Sequence, residues 1–309
     1  MASRTVTFLA SKKITVVLLL ALIPLAVLEG QRRSVPGAVF IAFAAPLVLN
    51  LCCCLINHLK ARRPFTVERA GFLLFHAAFL MIIAGGIISY FTYSIGYVEV
   101  VEGEGYRDSR ENYTDWKQKF GVRRGSGARI TVKRINLEFW DNGQIRHYDN
   151  HIAIKDGEAE REAVLGVNSS VRHGGLLINL ARYYGLAPHF VITTPAGENS
   201  GYVYISDVPK INTFTIPIVG RRATVSYGTV KDRTLNFTMS DGGPAITRTI
   251  VPGDVIDLGN GSLKLTGIHL WNGLTVVRDM GKWPTYLGFA SFILGLGMYY
   301  LRTFFGGEK

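Results

Sequence analysis

From Gly71 to Tyr97 the sequence contains no Lys, Arg, Asp or Glu. A bilayer crossing needs about 20 mostly apolar residues, so this run is long enough to be a transmembrane helix. Three further apolar segments have the same character: Ile14–Leu28 behind Lys12 and Lys13, Ala38–Ile56, and Trp283–Leu301 before Arg302. The first is short, the length of a signal-peptide core. No small-x-small cleavage site follows it, since Val27-Leu28-Glu29-Gly30 is a poor match, and a retained helix is expected.

The placement of charge orients these spans. The 309 residues carry a net charge of +11, and only 18% are charged, against roughly 25% for soluble domains. Residues 1–93 and 283–309 hold 11 of the 34 basic residues but 3 of the 23 acidic ones. With four spans, Arg4, Lys12, Lys13, Lys60, Arg62, Arg63, Arg69, Arg302 and Lys309 fall on one side. The short opposite loop has only Arg32 and Arg33. Basic loops stay cytoplasmic, so both termini are expected inside and residues 98–282 outside. The excess positive charge is thus an orientation signal and gives no reason to expect nucleic-acid binding. A bacterial plasma membrane is the expected location, because residues 1–11 are too short for a chloroplast transit segment.

The exported part reads as β-structure. Residues 98–128 are polar and rich in Gly and Arg, and are expected to form an irregular entry. Beyond them Ile135, Leu137 and Phe139 alternate with Asn136 and Glu138, and Asp141-Asn142-Gly143 supplies a turn. Similar runs at Gly201–Ser206, Ile211–Ile218, Ala223–Val230, Leu235–Met239 and Ser262–Leu270 are separated by Gly- and Asp-rich turns. About ten short strands at this spacing fit an antiparallel sandwich or barrel. The fold class expected is therefore a membrane protein: four transmembrane α-helices plus an extracytoplasmic mainly-β domain, antiparallel sandwich or barrel-like, between helices 3 and 4. Its parts are residues 1–97 with helices at about 14–28, 38–56 and 71–97, the β-rich domain 98–282, and 283–309 with the last helix.

Few residues in this chain carry obvious chemistry. The cysteines, Cys52, Cys53 and Cys54, are consecutive in a helical span, point in different directions and make no chelating cluster. The exported part has none, hence no site for attaching its own c-type haem. His147 and His151 stand about 13 Å apart on a strand, at roughly 3.3 Å per residue, and read as surface residues. His173, His189 and His269 lack Cys or carboxylate partners at ligand spacing.

His76 is different, because it lies inside the third span, about 10 Å beyond Arg69 at 1.5 Å per residue. An ionisable group at that depth is costly and points to a ligand, proton or cofactor site. A neutral imidazole there can ligate haem iron, with Ala77 and Ala78 leaving room for a flat ring. An interhelical hydrogen bond to Asn50 or Ser89 accounts for the residue equally well.

Here the sequence resembles a known family, the ResB (CcsB) proteins of system II cytochrome c biogenesis, of which it would be a short member. The order of spans and exported domain matches over nearly the whole chain. Three local stretches carry the likeness. One is Leu74-Phe75-His76-Ala77-Ala78-Phe79-Leu80. A second is Val167-Asn168-Ser169-Ser170-Val171-Arg172-His173-Gly174-Gly175, followed by Arg182-Tyr183-Tyr184-Gly185. The third is Val277-Arg278-Asp279-Met280-Gly281-Lys282-Trp283-Pro284, followed by Gly288.

The resemblance implies a haem-delivery role beside a CcsA (ResC) membrane protein, with a c-type apocytochrome as client. His76 takes the place of the family's third-span histidine, an axial ligand of haem b whose second histidine comes from the partner. The Trp-rich haem-handling motif belongs to that partner and is absent here, which implies a non-catalytic or co-catalytic subunit of the haem lyase. Arg62, Arg63 and Arg69 could contact haem propionates, although the positive-inside rule already explains their placement. Short ResB-like proteins also imply an alternative: a haem-holding subunit of a quinol and multihaem-cytochrome electron-transfer complex. A membrane anchor without cofactor is a third possibility, for which His76 would be only a buried hydrogen-bonding residue.

Overall fold

The computed structural model describes residues 8–30, 37–60, 64–118, 125–216, 220–231, 234–240 and 245–305. The chain divides into two compact units, Met1–Tyr93 with Asp279–Lys309, and Ser94–Arg278.

The first unit is helical: α1 (Lys12–Gly30), α2 (Gly37–Lys60), α3 (Val67–Thr92) and α4 (Lys282–Phe305). By length and composition two segments are able to cross a membrane, Ala42–Lys60 and Val67–Thr92, with mean hydropathies of 1.8 and 2.3. Helix α1 contributes a shorter apolar stretch, Lys13–Leu25. Large apolar side chains stand exposed on every helix, among them Leu20, Leu59, Ile87 and Ile293. So much exposed apolar surface marks a lipid or protein contact surface.

Helix α3 starts where Thr66 caps it, its hydroxyl oxygen accepting a hydrogen bond from the Arg69 backbone N–H at 3.3 Å. It ends at Thr92, five residues short of the expected limit, because Tyr93 turns extended and Ser94–Val101 is a strand. Apolar content runs unbroken through this helix-to-strand change, so hydropathy alone could not locate it.

Helices α3 and α4 pack through small residues at heptad spacing. Gly71, Ala78 and Gly85 on α3 meet Gly295, Gly288 and Gly281 at the approach to and along α4. A Cβ added to Gly281 would lie 2.0 Å from the Gly85 carbonyl oxygen, and one on Gly295 would lie 2.6 Å from the Phe75 nitrogen. The hairpin is pinned at its end by Ser89, whose hydroxyl donates to Asp279 Oδ1 at 2.6 Å. Elsewhere the buried Asn50 on α2 binds the backbone oxygens of Leu9 and Ser11 and accepts from the Thr15 hydroxyl.

The second unit has sixteen antiparallel strands among the described residues. Two are long and form its spine, β8 (Leu176–Thr194) and β16 (Ser262–Arg278). They sit in an eight-stranded sheet ordered β10-β8-β16-β1-β3, with β1 (Ser94–Val101), β3 (Asp115–Gln118) and β10 (Ile205–Ser206). A four-stranded sheet, β2-β4-β5-β6, is made of β2 (Gly105–Arg107), β4 (Arg129–Phe139), β5 (Ile145–Asp156) and β6 (Ala159–Gly166). The other four-stranded sheet is β11 (Ile211–Thr215), β12 (Arg222–Ser226), β13 (Leu235–Ser240) and β14 (Ile246–Ile250), paired in that order.

Each small sheet shares a core with one stretch of the spine. Ile130, Ile152, Leu165, Ile178 and Leu274 belong to the first core, and Phe190, Val225, Phe237 and Leu265 to the second. Trp271 lies in a smaller cluster with Val101 and Ala187, its indole N–H donating to the Ile205 oxygen at 3.1 Å.

This arrangement departs from ten short strands. The spine strands were not legible as units because Gly185 and Pro188 break the pattern of β8, while register shifts at Leu265/Gly267 and Asn272/Leu274 break that of β16. Such shifts change which parity faces the core, so a long strand reads as separate short ones. The described residues of 98–128, which are 98–118 and 125–128, are also more regular than an irregular entry. They contain most of β1 together with β2 and β3, and the buried Asp108 ties them down, accepting from Tyr113 Oη at 2.7 Å and Ser126 N at 2.7 Å.

Candidate functional site

The helical unit contains a cavity of about 520 Å3, lined from all four helices. His76 stands in its wall. Its Nδ1 lies 2.9 Å from the Phe72 carbonyl oxygen one turn earlier. A carbonyl can only accept, so Nδ1 carries the proton and the neutral ring holds its lone pair on Nε2. That tautomer is the one a metal-binding imidazole adopts when its second nitrogen is fixed by an outer hydrogen bond. Neither partner expected for His76 is used: Asn50 is bound to the α1 region, and Ser89 lies thirteen residues further along α3 itself and donates to Asp279.

Aromatic rings surround the imidazole. Phe72 is 3.9 Å and Phe75 5.4 Å from it, centroid to centroid, and Phe75 in turn meets Phe79 edge to face at 5.1 Å and Phe292 at a tilt at 4.9 Å. A second histidine, which sequence reasoning did not single out, lines the same cavity. His58, near the end of α2, stacks on Phe72 at 4.2 Å. Two rings that both stack on Phe72 must occupy its opposite faces. Phe72 therefore separates the imidazoles, and they cannot share one iron in this arrangement. Its only sequence signal was a polar Asn57-His58 pair just past an apolar span.

The size and chemistry of this cavity fit a flat, apolar cofactor with one axial imidazole. Its volume falls within the roughly 300–1,000 Å3 usual for ligand pockets. The walls are aromatic and aliphatic, and Asn57, Tyr299 and Tyr300 add polar groups.

The arginines are placed differently from His76. Arg69 donates from Nη2 to the backbone oxygens of His58 and Leu59, at 2.8 and 3.4 Å, satisfying the open carbonyl end of α2. Arg62 and Arg63 lie outside the described residues. The cysteines form no ligand set: among the described residues no group of three or more His, Cys, Asp or Glu could hold a metal ion.

In the β-sheet unit His147 and His151 are not isolated. Both reach the carboxylate of the buried Asp149 between them, His147 Nε2 through a short contact and His151 Nε2 at 3.7 Å, and Asn136 donates to it at 2.9 Å. Asp149 was legible as the middle of an alternating His-x-Asp-x-His face. His173 likewise has a carboxylate neighbour, Asp156 at 3.2 Å, 17 residues away in sequence and in a different sheet. On β1, burial raises the Glu99 pKa above its ordinary 4.5, the hydrogen bond from Tyr97 opposing the shift.

The ResB-like family model matches residues 66–255, more than half of the chain. A solved structure of the cytochrome c haem lyase CcmF aligns with 92% of the chain at 15% identity and a TM-score of 0.33. The chain spans about a third of that protein, 34% of its length, and nothing about fold or function follows from so low a score. No curated protein matches the sequence.

Proposed function

Since the chain belongs to the ResB-like family, we propose that it is a membrane subunit of cytochrome c biogenesis. In this reading it belongs to a system II haem-delivery or haem-lyase complex and acts beside a CcsA-like partner on a c-type apocytochrome. Four helices cross a bacterial plasma membrane with both termini inside, and the β-sheet unit faces outward. The exposed apolar side chains of the helices and the one-sided distribution of basic residues support that topology.

The observation that carries the haem assignment is the hydrogen bond from His76 Nδ1 to the Phe72 oxygen, beside a cavity of cofactor size. Haem b bound there supplies an iron centre able to gain and lose one electron. His76 would hold the iron through Nε2, and its own helix turn fixes the ring through Nδ1. Phe75 and Phe79 would shield the bound group from water, and Phe72 holds His58 away from His76, so any second protein ligand would have to come from elsewhere than His58.

The test is the visible spectrum of the full chain purified with its membrane partners. A haem band that His76→Ala abolishes supports the assignment; unchanged haem content in that variant sinks it. Accumulation of apocytochrome after deletion of the gene separates biogenesis from service in a quinol-linked electron-transfer complex.

A further inference from the structure

The β-sheet unit has a cavity of its own, of about 540 Å3. Its rim is the turn between β6 and β7 (Ser170–His173), where Asn168 has φ of +60°, the single non-glycine at positive φ among the described residues. Glycine would meet that backbone need with less strain, so an asparagine keeps a carboxamide at the rim. Ser169 locks the turn, accepting from Gly166 N at 2.7 Å and donating to Gly166 O at 3.0 Å. Beside it Ser170 donates to Asn179 Oδ1 at 2.6 Å, which turns the amide's Nδ2 donor away from the serine.

Arg182 on β8 also lines this cavity. Its side chain is exposed, and among the described residues no carboxylate forms an ion pair with it. The remaining wall is largely apolar. Ile145, Val167 and Leu180 contribute alkyl surface, and the Tyr148 and Tyr184 rings lie 5.5 Å apart.

We infer that this cavity binds an organic carboxylate attached to a flat or extended apolar body. A guanidinium fork matches a carboxylate bidentately. One cation with neutral amide donors from Asn168 and Asn179 suits a singly charged carboxylate better than a phosphate dianion. The aliphatic wall and the two tyrosine rings take the apolar body. No His, Cys or Met is among the lining residues, so the ligand is held by its carboxylate and its faces and not through a metal. A porphyrin propionate and a fatty acid share this chemistry. The inference does not depend on the role proposed for His76.

The test uses the full chain carrying His76→Ala in detergent micelles, so that the helical cavity is the same in every chain compared and its contribution cancels in the difference made by Arg182. Isothermal titrations with mesoporphyrin IX, its dimethyl ester and oleate are compared with the same titrations of the His76→Ala, Arg182→Gln double variant. Micelle partitioning is common to both and cancels. A free acid is expected to bind about tenfold more tightly when Arg182 is present, and the ester is expected to show no such difference. Adding Asn168→Gly, which suits the same backbone, is expected to weaken the acid as well. Arg182-dependent binding of mesoporphyrin alone identifies a porphyrin, and of oleate alone a fatty acid. Equal affinities of both chains for both acids, or an ester that binds as tightly as its acid, overturn the proposal.

Discussion

At His76 a single hydrogen bond decides which nitrogen can meet a metal, and that bond is made to backbone, so it survives any change of neighbouring side chain. Replacing the ligand itself is expected to lower haem retention about tenfold or more, read from the Soret band per mole of protein. His58→Ala is expected to leave that band in place, because Phe72 stands between the two rings. Its loss would show that Phe72 swings aside. Arg69→Ala is expected to cost about 0.3–1 kcal/mol of stability through the end of α2, with haem per folded chain unchanged. Glu99 yields a pH effect. Its folded pKa is raised by burial, so it favours the folded state at low pH and that contribution is lost as pH rises through the raised value. The thermal stability of the wild type relative to Glu99→Gln should therefore fall from about pH 4 upward. A constant difference between the two would mean the carboxyl is not desolvated.

Among the elements, the α3–α4 pair depends on its small residues. With Gly71, Ala78 and Gly85 set against Gly295, Gly288 and Gly281, the backbones approach too closely for side chains between them. Gly281→Val is expected to destabilise the helical unit by about 1–3 kcal/mol or more, in micelle thermal unfolding. Gly297→Ala, at a position with nothing within 4 Å of the added carbon, is expected to be neutral or stabilising by up to about 1 kcal/mol. Equal effects at the two positions would mean that the stripe is not the contact. The sequence alone displayed the seven-residue spacing of Gly288 and Gly295, but not that α3 is the helix they meet. Spacing along one helix defines a face, and only the partner's coordinates say what fills it. The β-elements show the same limit. The alternation in Ile135–Phe139 was readable, while β8 and β16 were not, because register shifts and a central glycine and proline interrupt the period of two.

For the whole molecule the remaining prediction is topological. In a cysteine-free background, Glu158→Cys in the β5–β6 turn is expected to react with a membrane-impermeant maleimide in intact cells. Phe65→Cys, 76% exposed just before α3, is expected to react only after permeabilisation. The opposite pattern would invert the orientation. Long uncharged runs and the imbalance of basic residues were enough by themselves to locate the apolar helices, the β-rich segment between the third and fourth of them, and an ionisable residue out of place at His76. Those are one-dimensional properties, fixed by transfer free energy and periodicity along the chain. The tertiary structure alone decided the tautomer of His76, the second histidine behind Phe72, the use of Arg69 as a helix-end donor and the cavity that brings Asn168 to Arg182. Each of these depends on distances between groups whose separation along the chain carries no information about their separation in space.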